Sequence, residues 1–515
     1  MTFLCKIPRG NPADFQTAIS ATKYGKFNLF LLLLLIPASL LVQIESSLIS
    51  YIIPAATCDL NLNVSQKGLL NSMAFLGMLS TGFLWGFLLD TLGRRKVLRV
   101  GFLAEAVIVC GQGLSTNVAM LYIFKFLGGT LIGGVYVALA TYLQEFHATE
   151  LRGKIQMASG MIYAGANVLV PLLSSAILPL KINASLYILE LHAWNILTLI
   201  GSLSALLSFI GIYFLPETPK FLMTSGKNDE ALRVLRKMYR INTGNMEKSY
   251  PIDSLIQEIP DESELAANKK SCCEFLKSGW QQMRPLFGKQ YRLQLMLVCL
   301  VQSFFGMGIH TFRSYLPQVF QATHEYEIAH NGTTPNLCSI LDILRSNASS
   351  LLSEHEEVIC VVNVENSSRV YLNSVIIASV ALLNFAIVGF LISTFRRKVL
   401  LTILGLTAAI SVNCLYFSQN TPTTLAVSSI YLSTIGVCFE IFITVVVVVF
   451  PTTLRAMAIS LCLFITRLCT VAGTNILPVL VETGCVPPFI CLGLVCLVAV
   501  LLSWFVPDTE TEDMK

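Results

Sequence analysis

Seven ionisable side chains stand inside long apolar runs: Glu45, Glu105, Lys125, His310, Arg313, Glu440 and Arg467. A charge at the middle of a membrane helix costs about 2.5–3.5 kcal/mol on insertion scales, so such groups face an aqueous cavity or one another. A desolvated carboxylate such as Glu45 or Glu440 suits proton exchange or recognition of a cation. Lys125 titrates more readily than an arginine but lacks its bidentate fork. The bland alternative is a pair of fixed ion pairs, Glu45 with Lys125 and Glu440 with Arg467, that only fix helix packing. His310 and Arg313 lie near one end of their run and are expected to reach water.

The runs that carry these residues define the class. Hydrophobic residues make up 54% of the 515 and charged residues 13%, with a mean hydropathy of +0.68. The charged share is about half that of a globular protein. Apolar stretches of about 20 residues, enough to cross a hydrocarbon core of roughly 30 Å, recur from Phe27 to Val506. Twelve spans are expected, near 27–53, 68–89, 97–114, 119–143, 155–178, 193–215, 292–317, 371–394, 399–417, 424–449, 456–480 and 487–506. The first is too long for a signal-peptide core and is expected to stay in the mature chain. This composition excludes a soluble enzyme, a nucleic-acid binder and a disulfide-stapled secreted domain. The expected class is an all-α multi-pass membrane protein.

Charge gives the orientation. Fifteen Lys and Arg lie in loops on the amino-terminal side, outside the central stretch, against four on the other side. The positive-inside rule then puts both termini in the cytoplasm. All five N-x-S/T sequons fall on the opposite, outer side: Asn63, Asn183, Asn331, Asn347 and Asn366. The three in the outer loop 320–370 (Asn331, Asn347, Asn366) are the glycosylation candidates. That loop carries seven acidic and two basic residues. It also holds Cys338 and Cys360, which face an oxidising compartment and are expected to pair; Cys58 and Cys485 are a further candidate pair.

The two halves repeat. GFLLDTLGRRKVL at Gly86–Leu98 returns as GFLISTFRRKVL at Gly389–Leu400, one residue shorter. Leu151-Arg152 returns as Leu454-Arg455, an offset of 303, the same as Gly86 to Gly389. Pro54 at the end of span 1 matches Pro317 at the end of span 7, an offset of 263. Two six-helix halves of equal orientation follow, related by an axis along the membrane normal, as in an alternating-access carrier. The expected organisation is a cytoplasmic segment 1–26, a first bundle 27–215, a central cytoplasmic loop 216–291, a second bundle 292–506 and a cytoplasmic tail 507–515. In the central loop Asn228 is expected to cap a helix with Leu232, Leu235 and Met238 as its apolar stripe.

In the first copy of the motif, Gly86 and Gly93 permit close approach and a tight turn. Asp90 can pair with Arg94, Arg95 or Arg152, giving a latch at the cytoplasmic face that a two-state machine can make and break. The second copy has Ser393 in place of Asp90, lacks the glycine, and has Val448 where Glu145 would stand. Its surviving cation, Arg455, sits in a weaker latch. The glycines Gly128, Gly129, Gly133 and Gly134 in span 4 point to close helix packing.

These residues resemble a known family. Gly86-x-x-x-Asp90-x-x-Gly93-Arg94-Arg95 is similar to the motif between spans 2 and 3 of the major facilitator superfamily. Pro216-Glu-Thr-Pro-Lys-Phe-Leu222 resembles the signature of its sugar and organic-ion branches. Asp14-Phe15, Ala18-Ile19 and Gly25-Lys26-Phe27 narrow the resemblance to the synaptic vesicle glycoprotein 2-like and organic-ion transporter group, as does 226–235. The resemblance implies a central cavity lined by spans 1, 4, 7 and 10 with 2, 5, 8 and 11 beside them. It makes Glu45, Lys125, Glu440 and Arg467 the substrate or coupling candidates and gives Glu145 and Arg152 a place in the gate. Glu105, in the usually peripheral span 3, is expected to be structural.

The function expected is secondary transport of a small organic, ionic solute by alternating access, with proton coupling through Glu45. The alternatives are a non-transporting membrane glycoprotein of vesicle or plasma membrane that acts through its outer loop, and a hexose carrier. The expected partners are the solute, protons and the lipid bilayer. No Gly-rich phosphate loop supports ATP, and no metal, cofactor, nucleic acid or enzymatic activity is expected.

Overall fold

A computed structural model describes residues 12–180, 182, 184–186, 189–256, 284–330, 336–341, 368–391, 395–450 and 452–507. Among these residues are twelve long helices, labelled spans 1–12 in order. Span 1 joins Lys26–Gln43 to Ile49–Asp59 through a π-helical turn, Ile44–Leu48. Spans 2–6 are Val64–Leu92, Arg94–Gly113, Val118–Glu145, Thr149–Ile177 and Ala193–Phe214. Spans 7–12 are Arg292–Ala329, Ser368–Leu391, Arg397–Cys414, Thr421–Val449, Thr452–Thr483 and Val486–Trp504. Among the described residues, ten of the twelve helices contain an 18-residue stretch apolar enough to cross a membrane, on length and composition alone. Span 3 is outside that set because it opens on Arg94, Arg95, Lys96 and Arg99 and carries Glu105. The one sheet described is a hairpin, Ala184–Leu186 against Leu189–Leu191, between spans 5 and 6.

Local chemistry sets the ends. Asn117 caps span 4 by accepting from the Met120 N–H at 2.9 Å, and Asn420 caps span 10 by accepting from the Thr423 N–H at 2.9 Å. The two caps are 303 residues apart, so the offset between the halves extends to this pair of helices. A buried core within 286–506 packs spans 7–12, while one cluster within 13–255 joins spans 1–6 to the segments beyond their ends. A third cluster gathers Ile49, Ile52, Ile53, Leu70 and Trp194, and brings in Tyr371 from the start of span 8.

At the face that carries the amino-terminal segment, here called the terminal face, a small plate covers the first six spans. Helix Phe15–Ala21 and helix Asn228–Thr243 are tied by Asn242, whose side chain accepts from the Phe27 N–H at 2.9 Å and donates to the Lys23 carbonyl at 2.8 Å. Tyr250 donates to the Ala18 carbonyl at 2.6 Å. Leu232, Leu235 and Met238 are buried as their spacing requires. The cap differs from expectation: Lys227 precedes the helix, and the Asn228 amide donates instead to the Ile256 carbonyl at 3.3 Å.

Candidate functional site

The buried charge in the first bundle is a built cluster. The π turn inserts an extra residue per turn into span 1 and rotates Glu45 inward. Its carboxylate lies 3.1 Å from Lys125 Nζ, with both side chains essentially sealed from solvent (0% and 2% exposed). Lys125 also donates to the Glu45 carbonyl at 3.1 Å, and Gln112 Nε2 donates to Glu45 Oε1 at 2.6 Å. Gly128 makes the room: a Cβ there would stand 2.7 Å from Glu45 Oε2. Gly129 likewise lets span 4 meet span 2, since its Cβ would reach the Ala74 carbonyl oxygen at 2.2 Å. Glu105 is fully buried in electrostatic reach of Glu45 and Lys125, and neither carboxyl oxygen has a hydrogen-bond partner. Span 3 therefore contributes a third ionisable group to the cluster instead of the peripheral, structural acid expected.

A second group of charges lies between the bundles. Glu440 is exposed midway along span 10, and its electrostatic neighbours are Tyr136 on span 4 and Tyr163 on span 5. Neighbours on the opposite bundle mean that it faces the space between the bundles and not lipid. Tyr136 is 45% exposed, with its ring 6.1 Å from that of Tyr163. Arg467 on span 11 donates to the Met78 carbonyl of span 2 at 3.3 Å. No ion pair joins Arg467 to Glu440 among the described residues, so that fixed-pair alternative does not hold. Arg313 and His310 do not simply reach water at the end of span 7. Arg313 donates to Gln43 Oε1 and Ser47 Oγ of span 1, each at 3.4 Å, and to Asn167 Oδ1 of span 5. His310 sits between the rings of Phe75 and Phe439, at 5.4 and 6.1 Å. Arg313 and His310 were visible as charges in an apolar run; what the one-dimensional reading lacked was the neighbouring bundle that supplies their partners.

The bundles meet unevenly. Away from the terminal face, the Ile49–Asp59 half of span 1 packs on span 7, and Tyr371 is buried in a cluster with residues of spans 1, 2, 4, 5 and 6. Spans 2 and 11 pack along one side and spans 5 and 8 along the other, where Met157 Cε would lie 3.8 Å from a Cβ on Gly389. No comparable packing joins spans 4 and 10 among the described residues.

The gate residues form a network inside the first bundle. Arg94 pairs with Glu145 at 3.2 Å, and Glu145 Oε2 accepts from Thr218 Oγ1 at 2.6 Å. Arg94 also lies over the Phe221 ring, 5.1 Å from its centroid. Gly93 has φ +86°, and a Cβ there would lie 2.7 Å from Glu217 Oε2. Only glycine fits that turn, because Glu217 occupies the space while accepting from the Arg95 N–H at 3.1 Å. Burial raises the Glu217 carboxyl above the usual range, against those backbone hydrogen bonds. Arg152 Nε donates to the His147 carbonyl at 3.2 Å. The side chains of Gly86, Asp90 and Arg455 lie outside the described residues. Glu217 and Thr218 belong to the Pro216–Leu222 signature, whose resemblance was visible but whose contact with Gly93 was not.

On the opposite face, Cys338 bonds Cys485 and not the expected Cys360. The Leu337 N–H donates to the Ser418 carbonyl at 3.2 Å, and Leu337 and Leu341 enter the second bundle's core. This short segment is therefore held down beside the turn between spans 11 and 12, where Cys485 is in reach. Cys360, Asn331, Asn347 and Asn366 lie outside the described residues. Among the described residues no group of His, Cys, Asp and Glu could hold a metal ion.

Comparison with known proteins adds the lineage. A family model described as "Sugar (and other) transporter" matches residues 37–327. Synaptic vesicle glycoprotein 2B of Rattus norvegicus is 26% identical over 250 residues, 47% of this chain and 36% of that protein. Synaptic vesicle glycoprotein 2A of Homo sapiens is 26% identical over 318 residues, 58% of this chain and 42% of that protein. The chain thus matches well under half the length of these relatives. Among solved structures, the inward open conformation of the xylose transporter XylE from E. coli superposes with a TM-score of 0.66 at 17% identity, covering 94% of this chain and 97% of that one. A D-xylose-proton symporter superposes with a TM-score of 0.65 at 16% identity, covering 94% and 99%.

Proposed function

The chain belongs to the sugar (and other) transporter family, and we propose that it is a secondary active carrier of a small organic, ionic solute working by alternating access. The observation that carries this reading is the site at Glu440. A carboxylate with no ion-pair partner among the described residues stands exposed between the bundles while spans 1 and 7 close over it from the far face. A site open towards one face only is what a rocking pair of bundles presents in one of its two states. With the terminal face cytoplasmic, as the positive charges favour, this is the inward-facing state, and both termini lie in the cytoplasm. The organisation proposed keeps the boundaries given above, with bundles 27–215 and 292–506. The membrane proposed is that of a vesicle or the cell surface.

Proton coupling runs, in this proposal, through Glu45 and Lys125, with Glu105 beside them. Two carboxylates around one ammonium leave an excess negative charge in a dry interior, and a proton completes the balance. The Arg94–Glu145 pair lies within one bundle and so keeps the ends of spans 2–4 together through the transition; Asp90, Arg95, Arg152 and Arg455 complete the proposed gate. Uptake into proteoliposomes tests the coupling. Uptake that is the same for Glu45→Gln and after collapse of the pH gradient contradicts it.

A second reading, a glycoprotein that keeps the fold and acts through its outer loop, is favoured by the decay of the second gate copy, where Val448 replaces the glutamate. It requires that neutralising Glu440 and Arg467 be tolerated while loss of Asn331, Asn347, Asn366 or Cys338 is not.

A further inference from the structure

We infer that the solute bound between the bundles is a zwitterion, with its anionic group at Arg313 and Arg467 and its cationic group at Glu440. The inference rests on the carrier reading and narrows its substrate class. Its basis is an imbalance in how the charges of this molecule are partnered. In the first bundle Lys125 and Glu45 neutralise each other directly at 3.1 Å. Between the bundles the same opportunity exists and is not taken. Arg467 donates to a backbone carbonyl, and Arg313 donates to two amide oxygens and a hydroxyl. Among the described residues neither guanidinium has a carboxylate and Glu440 has no cation. Uncompensated charges of both signs lining one open space favour a molecule of complementary charge. A bound molecule that supplies both counter-charges meets that pattern.

The charges of both signs also line one space. Tyr136 neighbours both Glu440 and Arg467, and Tyr163 neighbours both Glu440 and Arg313, so the three charges lie around one pair of phenols. Arg313 stands where spans 1, 5 and 7 meet, held by Asn167, Gln43 and Ser47. A molecule carrying only an anion would leave Glu440 uncompensated, and one carrying only a cation would leave both arginines so. A neutral sugar would compensate none of them.

The test is a binding series on the purified full chain, read by thermal shift and titration calorimetry. The probes are ω-amino alkanoates of three to six carbons, with the alkylamine and the alkanoate of each length. One amino alkanoate is expected to bind at least about tenfold tighter than both of its singly charged analogues, about 1.4 kcal/mol. Glu440→Gln is expected to remove its advantage over the alkanoate, and Arg467→Gln its advantage over the alkylamine. An alkanoate or an alkylamine that equals the zwitterion at every length overturns the inference, and so does binding of a neutral sugar alone; each leaves the carrier reading standing. The wild-type series decides this even where a variant fails to fold. Binding of no solute, with the two bundles fixed in one arrangement, overturns both.

Discussion

The two halves of the chain solve the same packing problem with different chemistry. In the first, Glu45 of span 1 fills the space over Gly128 of span 4. The offset of 263 sets Gly308 against Glu45, and the offset of 303 sets Tyr431 against Gly128. There the roles reverse: a Cβ on Gly308 would lie 3.0 Å from the Tyr431 hydroxyl, so the large side chain comes from span 10 and the glycine from span 7. Tyr431 is fully buried and meets Phe312 edge to face at 5.0 Å. Lys125 is answered by Ser428 and His147 by Phe450. The first bundle is thus stapled by ions and the second by aromatic packing and the Cys338–Cys485 bond. A repeat preserves volume where helices touch, and ionic chemistry is free to survive in one copy only.

Removing the ammonium breaks this contrast most strongly. Lys125→Met leaves Glu45 and Glu105 buried without their cation and is expected to cost about 3–5 kcal/mol. Ser428→Ala, at the matching place, is expected to change stability by less than about 0.5 kcal/mol; its hydroxyl is buried without a partner. Thermal melts of the two variants in detergent make the comparison, and equal losses would contradict it. Cys485→Ser is expected to cost about 2–4 kcal/mol, whereas Cys360→Ser should leave the melt where it is; mass mapping of the oxidised chain checks the pairing separately. Gly93→Ala forces a side chain into positive φ and onto Glu217, for a loss of about 1–3 kcal/mol. At its counterpart in the second half the glycine has been deleted, so no equivalent variant exists.

The smallest expected effect is one of pH, at His147, whose Nδ1–H donates to the Leu143 carbonyl at 2.7 Å. Burial lowers its affinity for a proton, and nearby Arg152 acts in the same direction, against the hydrogen bond to Leu143. The folded form holds the ring neutral while the unfolded form binds a proton near pH 6.5. Stability is therefore full above pH 6.5 and falls as pH drops below it. His147→Gln should flatten this loss in melts between pH 7.5 and 5.5. Glu217 has the opposite sign: its raised affinity for a proton makes acidification stabilising between the raised value and the ordinary 4.5. Glu217→Gln should remove that gain.

Span number, span order and the repeat were legible in the sequence because hydropathy, glycine spacing and charge asymmetry act locally. The observed helices start at most six residues before the starts read from apolar runs, and span 2 gains its extra turn at the polar cap Asn63. Of the site, residue types in apolar runs were enough to single out all seven ionisable groups. Their partners were not legible, because each depends on rotation about a helix axis. The π turn at Ile44–Leu48 has no sequence signal of its own, yet it aims Glu45 at Lys125. Glu105 looked peripheral from its span number and belongs to the same cluster. Cys338 had an apparent partner in its own loop, but Leu337 and Leu341 fold the segment into the second core and bring it to Cys485.

In the carrier reading two rigid bundles exchange access to the space around Glu440, and paired distances between genetically encoded labels measure that exchange. One pair, Asn63 and Glu482, spans the bundles on the closed face, and the other, Gln144 and Arg396, spans them on the terminal face; all four positions are exposed. Two populations with opposite changes are expected, the first distance lengthening as the second shortens when pH or a bound solute shifts the balance. A single pair of distances, fixed under every condition in protein that still melts cooperatively, would contradict it.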